Sequence, residues 1–358
     1  MKLILRQMAW LLASIAFLYV VILGVTLIIV PMHNQEGGLE TRRASRTLYM
    51  TEPKYLFLNR GALKVDADRL ILLGASNTNA GFRLEELQPM IPKLQASNLS
   101  VGGANITEMR QAYALIRAVQ SKDALKRTTY VIGIWYGVFV PDALKWHTPD
   151  RHAGDTDLDI ERYRYGFYRR SAGGPVEVLP TKDLELGLVL IHPYLAIDKL
   201  ARDLTNDLRA SFLKMKPERT DEERNAIVLK PEDKARYLAF WKDQFGDLPA
   251  VPQEQFDVLT ALVDDIIDGG GRVIVADLPI PSWLAQESPL NRSYNALKAD
   301  WLAKISGRKG FAFVEMQDAF PDDEFVDEVH PKPRVTPQWS KILASTITDE
   351  MAKAGGNP

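Results

Sequence analysis

Ser76, Asp327 and His330 are the residues of this chain whose types and settings suit acyl chemistry. A serine hydroxyl becomes a useful nucleophile when an imidazole takes its proton, and a carboxylate on the other ring nitrogen fixes the imidazole for that task. Ser76 follows the run Leu70-Ile71-Leu72-Leu73-Gly74-Ala75. An apolar run of that length, closed by glycine, predicts a strand buried on both faces of a parallel sheet. The C-terminal tip of such a strand is where open α/β sheets place their ligands. By itself Ser76 reads equally well as a turn or helix-capping residue. The segment Phe325-Val326-Asp327-Glu328-Val329-His330-Pro331 tips the balance, because an Asp three residues before a His on a loop can orient the imidazole. His192, in Ile191-His192-Pro193-Tyr194, is the rival base and ranks second because no Asp stands beside it.

The elements that must position these residues alternate between strand and helix. Residues 94–100 predict a second strand, and Gly102-Gly103-Ala104-Asn105 leads into a helix from Ile106 to Val119 with Asn105 or Thr107 as its cap. Tyr130–Ile134 predicts the third strand, with Trp135, Tyr136 and Phe139 at its end either walling a pocket or packing beneath an insertion. Phe256–Ile267 has helical spacing and stops at Gly269-Gly270-Gly271, after which Arg272–Ala276 predicts a strand. Asn291–Ile305, Phe311–Val314 and Thr336–Ala352 continue as helix, strand and closing helix. Such repetition indicates an α/β fold with a mainly parallel sheet and flanking helices. Residues 140–250 break the alternation; they carry helical spacing over 183–215 and 232–245 around a Gly173-Gly174-Pro175 break, and predict a helical insertion.

Those residues and their order resemble the SGNH (GDSL-like) hydrolase superfamily. Gly74-Ala75-Ser76 matches its first block, Asn98 through Asn105 its second, and Asp327 to Val329 with His330 its last. The resemblance covers about residues 68–140 and 255–350, and is greatest to the membrane-anchored acyl-transfer branch that includes the D-alanyl transfer protein DltD and similar partners of MBOAT acyltransferases. It implies a flavodoxin-like α/β fold, Ser76 as nucleophile, His330 as base and Asp327 as its orienting acid. It implies oxyanion binding by Gly103 and the Ser76 N–H, with Asn105 and Asn77 assisting at the substrate. Two positions depart from the pattern: Ala75 stands where an Asp is usual, and Tyr130–Gly137 lacks the Asn that completes the oxyanion hole.

Met8–Val30 is an uncharged apolar run, long enough as a helix of about 35 Å to cross a hydrocarbon core of about 30 Å. A cleavable signal usually has an apolar region of about 7–15 residues and a small-x-small site, and Pro31-Met32-His33-Asn34 is not one. The expected domains are therefore an anchor over 1–31, a connector over 32–66 that forms a flexible neck, and an α/β domain over 67–358 with its insertion at about 140–250. Lys2 and Arg6 precede the run, while Arg42, Arg43 and Arg46 lie farther from its other end; this favours a cytoplasmic N-terminus and an extracytoplasmic body on the inner membrane. The arginine cluster reads as a solvated charge run, with lipid headgroups as the alternative. A net charge of −2 gives no reason to expect nucleic acid, and the absence of cysteine removes disulfides and thiolate chemistry. No metal or cofactor is expected: Asp155–Asp159 lacks the Gly and Glu of an EF-hand loop, and His147 and His152 have no third ligand in view. The expected activity is transfer of an acyl group, supplied through an MBOAT-like membrane partner, to a cell-envelope polysaccharide. Simple ester hydrolysis and a non-catalytic glycan-binding scaffold are the alternatives.

Overall fold

A computed structural model describes residues 2–30, 38–147, 152, 154–171, 174–178, 184–213 and 219–355. Pro31–Asn34, Gly173 and the tail Gly356–Pro358 lie outside the described residues. The elements that matter for the site are α1 (Lys2–Ile29), α2 (Glu52–Asn59), β1 (Arg69–Leu73), α3 (Ser76–Gly81), β2 (Gln95–Asn98), α4 (Ile106–Arg117), β3 (Thr128–Ile134), the hairpin β4 (Tyr168–Ser171) and β5 (Gly174–Glu177), α5 (Leu184–Leu213), α6 (Pro231–Gln244), α7 (Gln253–Asp268), β6 (Arg272–Asp277), α8 (Pro289–Ile305), β7 (Phe311–Glu315) and α9 (Thr336–Gly355).

Five strands form one sheet in the order β2-β1-β3-β6-β7, every neighbour parallel. In such a sheet each strand must bury both faces, and the side chains divide accordingly by alternation. Ile71, Leu73, Ile132 and Val275 face a core shared with Met109 of α4, Leu262 of α7 and Tyr294 of α8. Leu70, Leu72, Val131 and Ile274 face the opposite core, closed by Trp339, Leu343 and Ile347 of α9. The chain winds outward in both directions from β1, so the gap between the ends of β1 and β3 is the point where the winding reverses. The loops after β1, β2 and β7 meet at this end of the sheet, and they carry Ser76, Gly102 and His330.

The segment 38–66, expected as a flexible connector, is instead packed onto the domain. Glu40 pairs with Asn98 in a parallel bridge at the free edge of β2. Leu39, Tyr55, Phe57 and Leu63 are buried in the larger core. α2 starts with Pro53 in its first turn, a position that needs no N–H, and its Lys54 reaches Asp198 of α5 at 3.2 Å.

α1 is apolar along its length and almost wholly uncovered by the rest of the chain, with 6% of its most apolar window buried. Its 28 residues span about 42 Å, enough to cross a membrane. Its C-terminal half packs on α5. Pro193 interrupts the hydrogen-bond ladder of α5, and in that turn the Tyr19 hydroxyl donates to the Leu190 carbonyl.

Candidate active site

The path from β1 to Ser76 is set by close packing. Gly74 ends the strand, accepts from the Val101 N–H at 3.0 Å, and lies so near Thr78 that a Cβ there would overlap the threonine side chain. Ala75 is extended (φ −92°, ψ −164°), and α3 begins at Ser76. Asn98, at the end of β2, donates to the carbonyls of Phe82 (2.9 Å) and Thr78 (3.3 Å), and so braces α3 from below.

The His330 loop is pinched shut by backbone bonds. Val326 N–H donates to the His330 carbonyl at 2.9 Å, and Lys332 N–H to the Glu324 carbonyl at 2.8 Å. Phe325 and Val329 are buried beneath it. Within the loop, Asp327 Oδ1 accepts from the N–H groups of Val329 (3.0 Å) and His330 (2.8 Å), and the carboxylate also meets His330 Nδ1 at 2.8 Å. His330 Nε2 lies 2.8 Å from Ser76 Oγ. With Nδ1 protonated toward Asp327, Nε2 holds the lone pair and the Ser76 hydroxyl donates to it.

The electrostatics support that tautomer. Burial pushes the Asp327 carboxyl upward, but the hydrogen bond and charge of His330 and the two amides prevail and hold it below its ordinary value. Burial lowers His330; the hydrogen bond and charge of Asp327, with help from Glu328, outweigh this and raise it above 6.5. Glu328 is itself buried and pushed up to about 7 by burial and by Asp327.

The expected oxyanion and substrate residues do not assemble as anticipated. A Cβ on Gly102 would stand 3.9 Å from Ser76 Cβ, whereas the atom nearest that position on Gly103 is Lys145 Nζ. Gly102 thus lies beside Ser76. Gly103 adopts φ +74°, which turns the chain into α4. Asn105 is fully buried and holds the fold together: it caps α4 by accepting from Glu108 N–H at 3.1 Å and donates to Val140 O and Asp142. Asn77 is fully buried as well, with its Oδ1 on the Thr78 N–H. Trp135, Tyr136 and Phe139 are core residues; Trp135 packs edge-on against Trp241 of α6 and Phe139 stacks on Phe256. His192 lies buried between helices, with Nδ1 3.1 Å from Thr26 Oγ1 and Nε2 2.8 Å from Val30 O, so it has no part in this site.

The residue that sequence reasoning missed is Glu52. Its carboxylate accepts from the Gly102 N–H and, at 2.6 Å, from Asn79 Nδ2, and burial pushes its pKa upward. The signal available was only the helix-start pattern Thr51-Glu52-Pro53, which says nothing about what the glutamate touches. Beyond His330 an open cleft of about 450 Å3 carries Arg219, Arg224, Ile227 and Tyr237 on its walls.

Compared with protein-family models, the sequence matches none. It also matches no curated protein. The feature of the chain that bears on function is the hydrogen-bonded set Ser76, His330 and Asp327.

Proposed function

We propose that this chain is a membrane-anchored, serine-dependent O-acyltransferase of SGNH type, acting outside the cytoplasm on a cell-envelope polymer. The observation that carries the reading is the continuous Ser76–His330–Asp327 hydrogen-bond chain at the C-terminal end of a parallel sheet. In the proposed reaction His330 Nε2 takes the Ser76 proton as Oγ attacks an ester or thioester carbonyl. The tetrahedral oxyanion collapses, the leaving group departs with the proton from His330, and an acyl-serine remains. A hydroxyl of the acceptor then gives its proton to His330 and takes the acyl group, which restores Ser76. Asp327 holds the imidazole in the productive tautomer throughout. α1 supports an anchored location, and the basic residues before it favour a cytoplasmic N-terminus. An MBOAT-like membrane protein as acyl supplier comes from the resemblance alone.

Hydrolysis is the second reading, favoured by a cleft at His330 that opens to solvent and admits water. The deciding experiment uses the full chain in lipid nanodiscs with a serine-directed fluorophosphonate, followed by peptide mass spectrometry. An adduct on Ser76 that is lost in His330→Ala is expected. Equal labelling in Ser76→Ala would sink the reading. Acyl transfer to added envelope glycan, against release of free acid, then separates transferase from esterase.

A further inference from the structure

Arginines from the segment after α1, from the turn after α3 and from the insertion gather around two neighbouring clefts. Arg219 and Arg224 line the cleft at His330. The same two residues line a second cleft of about 620 Å3, together with Arg42, Arg43, Arg46 and Arg83. The two clefts have Arg219 and Arg224 in common, so the arginine-lined groove adjoins the cleft at His330.

The charges in this groove are not balanced. Arg42 and Arg43 are held by Glu40 and Glu85, and Arg83 by Asp221 at 2.8 Å. Among the described residues, Arg46, Arg219 and Arg224 form no ion pair with any carboxylate. An arginine on an ordinary solvated face is interspersed with acids. Here three unpaired guanidiniums face one concavity, each offering five N–H donors in the planar fork that suits carboxylate or phosphate oxygens. Like charges gathered in a groove repel one another unless an anion lies between them. None of the six arginines lies on α1 or α5, the helices with the long apolar exposed faces.

We propose that this groove binds an anionic polymer strand, with its carboxylate or phosphate groups on Arg46, Arg219 and Arg224 and a neighbouring hydroxyl delivered to Ser76. The chemistry of the delivery step rests on the acyl-serine reading; the binding does not.

The test uses the full chain in phosphatidylcholine nanodiscs, with a fluorescent oligogalacturonate as the acidic probe and a dextran oligomer of equal length as the neutral one. The oligogalacturonate is expected to bind, the dextran not, and binding to weaken steeply with salt. Arg219→Ala, Arg224→Ala and Arg46→Ala are each expected to weaken it by about tenfold, the loss of a charge-assisted hydrogen-bond pair. Saturating oligogalacturonate is expected to protect Ser76 from fluorophosphonate in the wild type. Equal binding of the two probes, or no loss in any arginine variant, overturns the proposal. So does binding that disappears when phosphatidylglycerol is added to the discs, which would assign the guanidiniums to lipid headgroups. Oligogalacturonate binding with a Ser76 that never labels would count against the acyl-serine reading while upholding the groove.

Discussion

At the scale of single residues, the protonation of His330 governs what Ser76 can do. Ser76 can be activated only by a neutral imidazole, and His330 is held above 6.5 by Asp327 and Glu328. The acylation rate is therefore expected to rise with pH through a midpoint above that value, read from fluorophosphonate labelling between pH 5 and 9. Glu328→Gln removes a carboxylate that favours the imidazolium, so the midpoint should move to lower pH; an unmoved or raised midpoint would refute the coupling. The same groups both contribute to stability, with opposite dependences on pH. The contribution of His330, whose folded pKa is raised, is full below the unfolded value of 6.5 and is lost as pH rises through the folded value. That of Asp327, whose folded pKa is lowered, is present above the unfolded value of 3.8 and is lost as pH falls through the folded value. The pair therefore stabilises most between those two unfolded values. Ser76→Ala is expected to abolish covalent labelling, and Asp327→Asn to slow it by about 10⁴-fold, through loss of the productive tautomer. Glu52 adds a residue-level prediction of its own. Its carboxylate occupies the Gly102 N–H next to Ser76, where negative charge opposes a forming oxyanion. Glu52→Gln should speed acylation by about tenfold if that charge is the obstacle. A slower variant would mean that Glu52 acts chiefly to hold Gly102 and Asn79 in place.

At the scale of elements, legibility followed the range over which each signal acts. β1, β3, β6 and β7 were readable because both faces of each are buried, which leaves short apolar runs between turn residues. α5 and α6 were readable inside the insertion because helical periodicity is local, and their observed bounds fall within a few residues of those expected. The hairpin β4–β5 was not, since strand pairs such as Arg169 with Val176 carry no apolar alternation. The packing of 38–66 was not, because Leu39, Tyr55 and Phe57 find their partners on elements far along the chain. Gly102 and Gly103 are alike in type, and only the backbone conformation distinguishes which one flanks the nucleophile. The β1–α3 turn offers a test at this scale. Gly74→Ala would force its Cβ into Thr78, so it should destabilise the domain by about 1–3 kcal/mol, the usual cost of overpacking. A chemical-denaturation midpoint equal to wild type would show that the turn relaxes freely.

At the scale of the whole molecule, α1 is long and apolar enough to cross a membrane and is also packed against the body. Thr26 and the Val30 carbonyl satisfy both ring nitrogens of the buried His192, and the Tyr19 hydroxyl donates to the Leu190 carbonyl. Leu190, Tyr194, Ile197, Leu204 and Leu208 lie exposed on α5 with spacings of four, three, seven and four residues, an apolar stripe along one helical face. A soluble domain rarely leaves so long a stripe in water, and here it extends from the contact with α1, the one helix among the described residues long and apolar enough to cross a membrane. Removal of residues 1–30 would strip the imidazole of His192 of both its hydrogen-bond partners. It would also uncover more of the apolar face of α5. The truncated chain is therefore expected to melt lower than the full chain in the same detergent, and to self-associate once detergent is withdrawn, as read by light scattering. A monodisperse, detergent-free fragment with an unchanged Tm would refute the claim that α1 is a structural part of the fold. The distinction bears on the proposed function, because a body locked to α1 through α5 would present Ser76 at a fixed height and orientation relative to any bilayer that α1 crossed, whereas a body on a free neck would not.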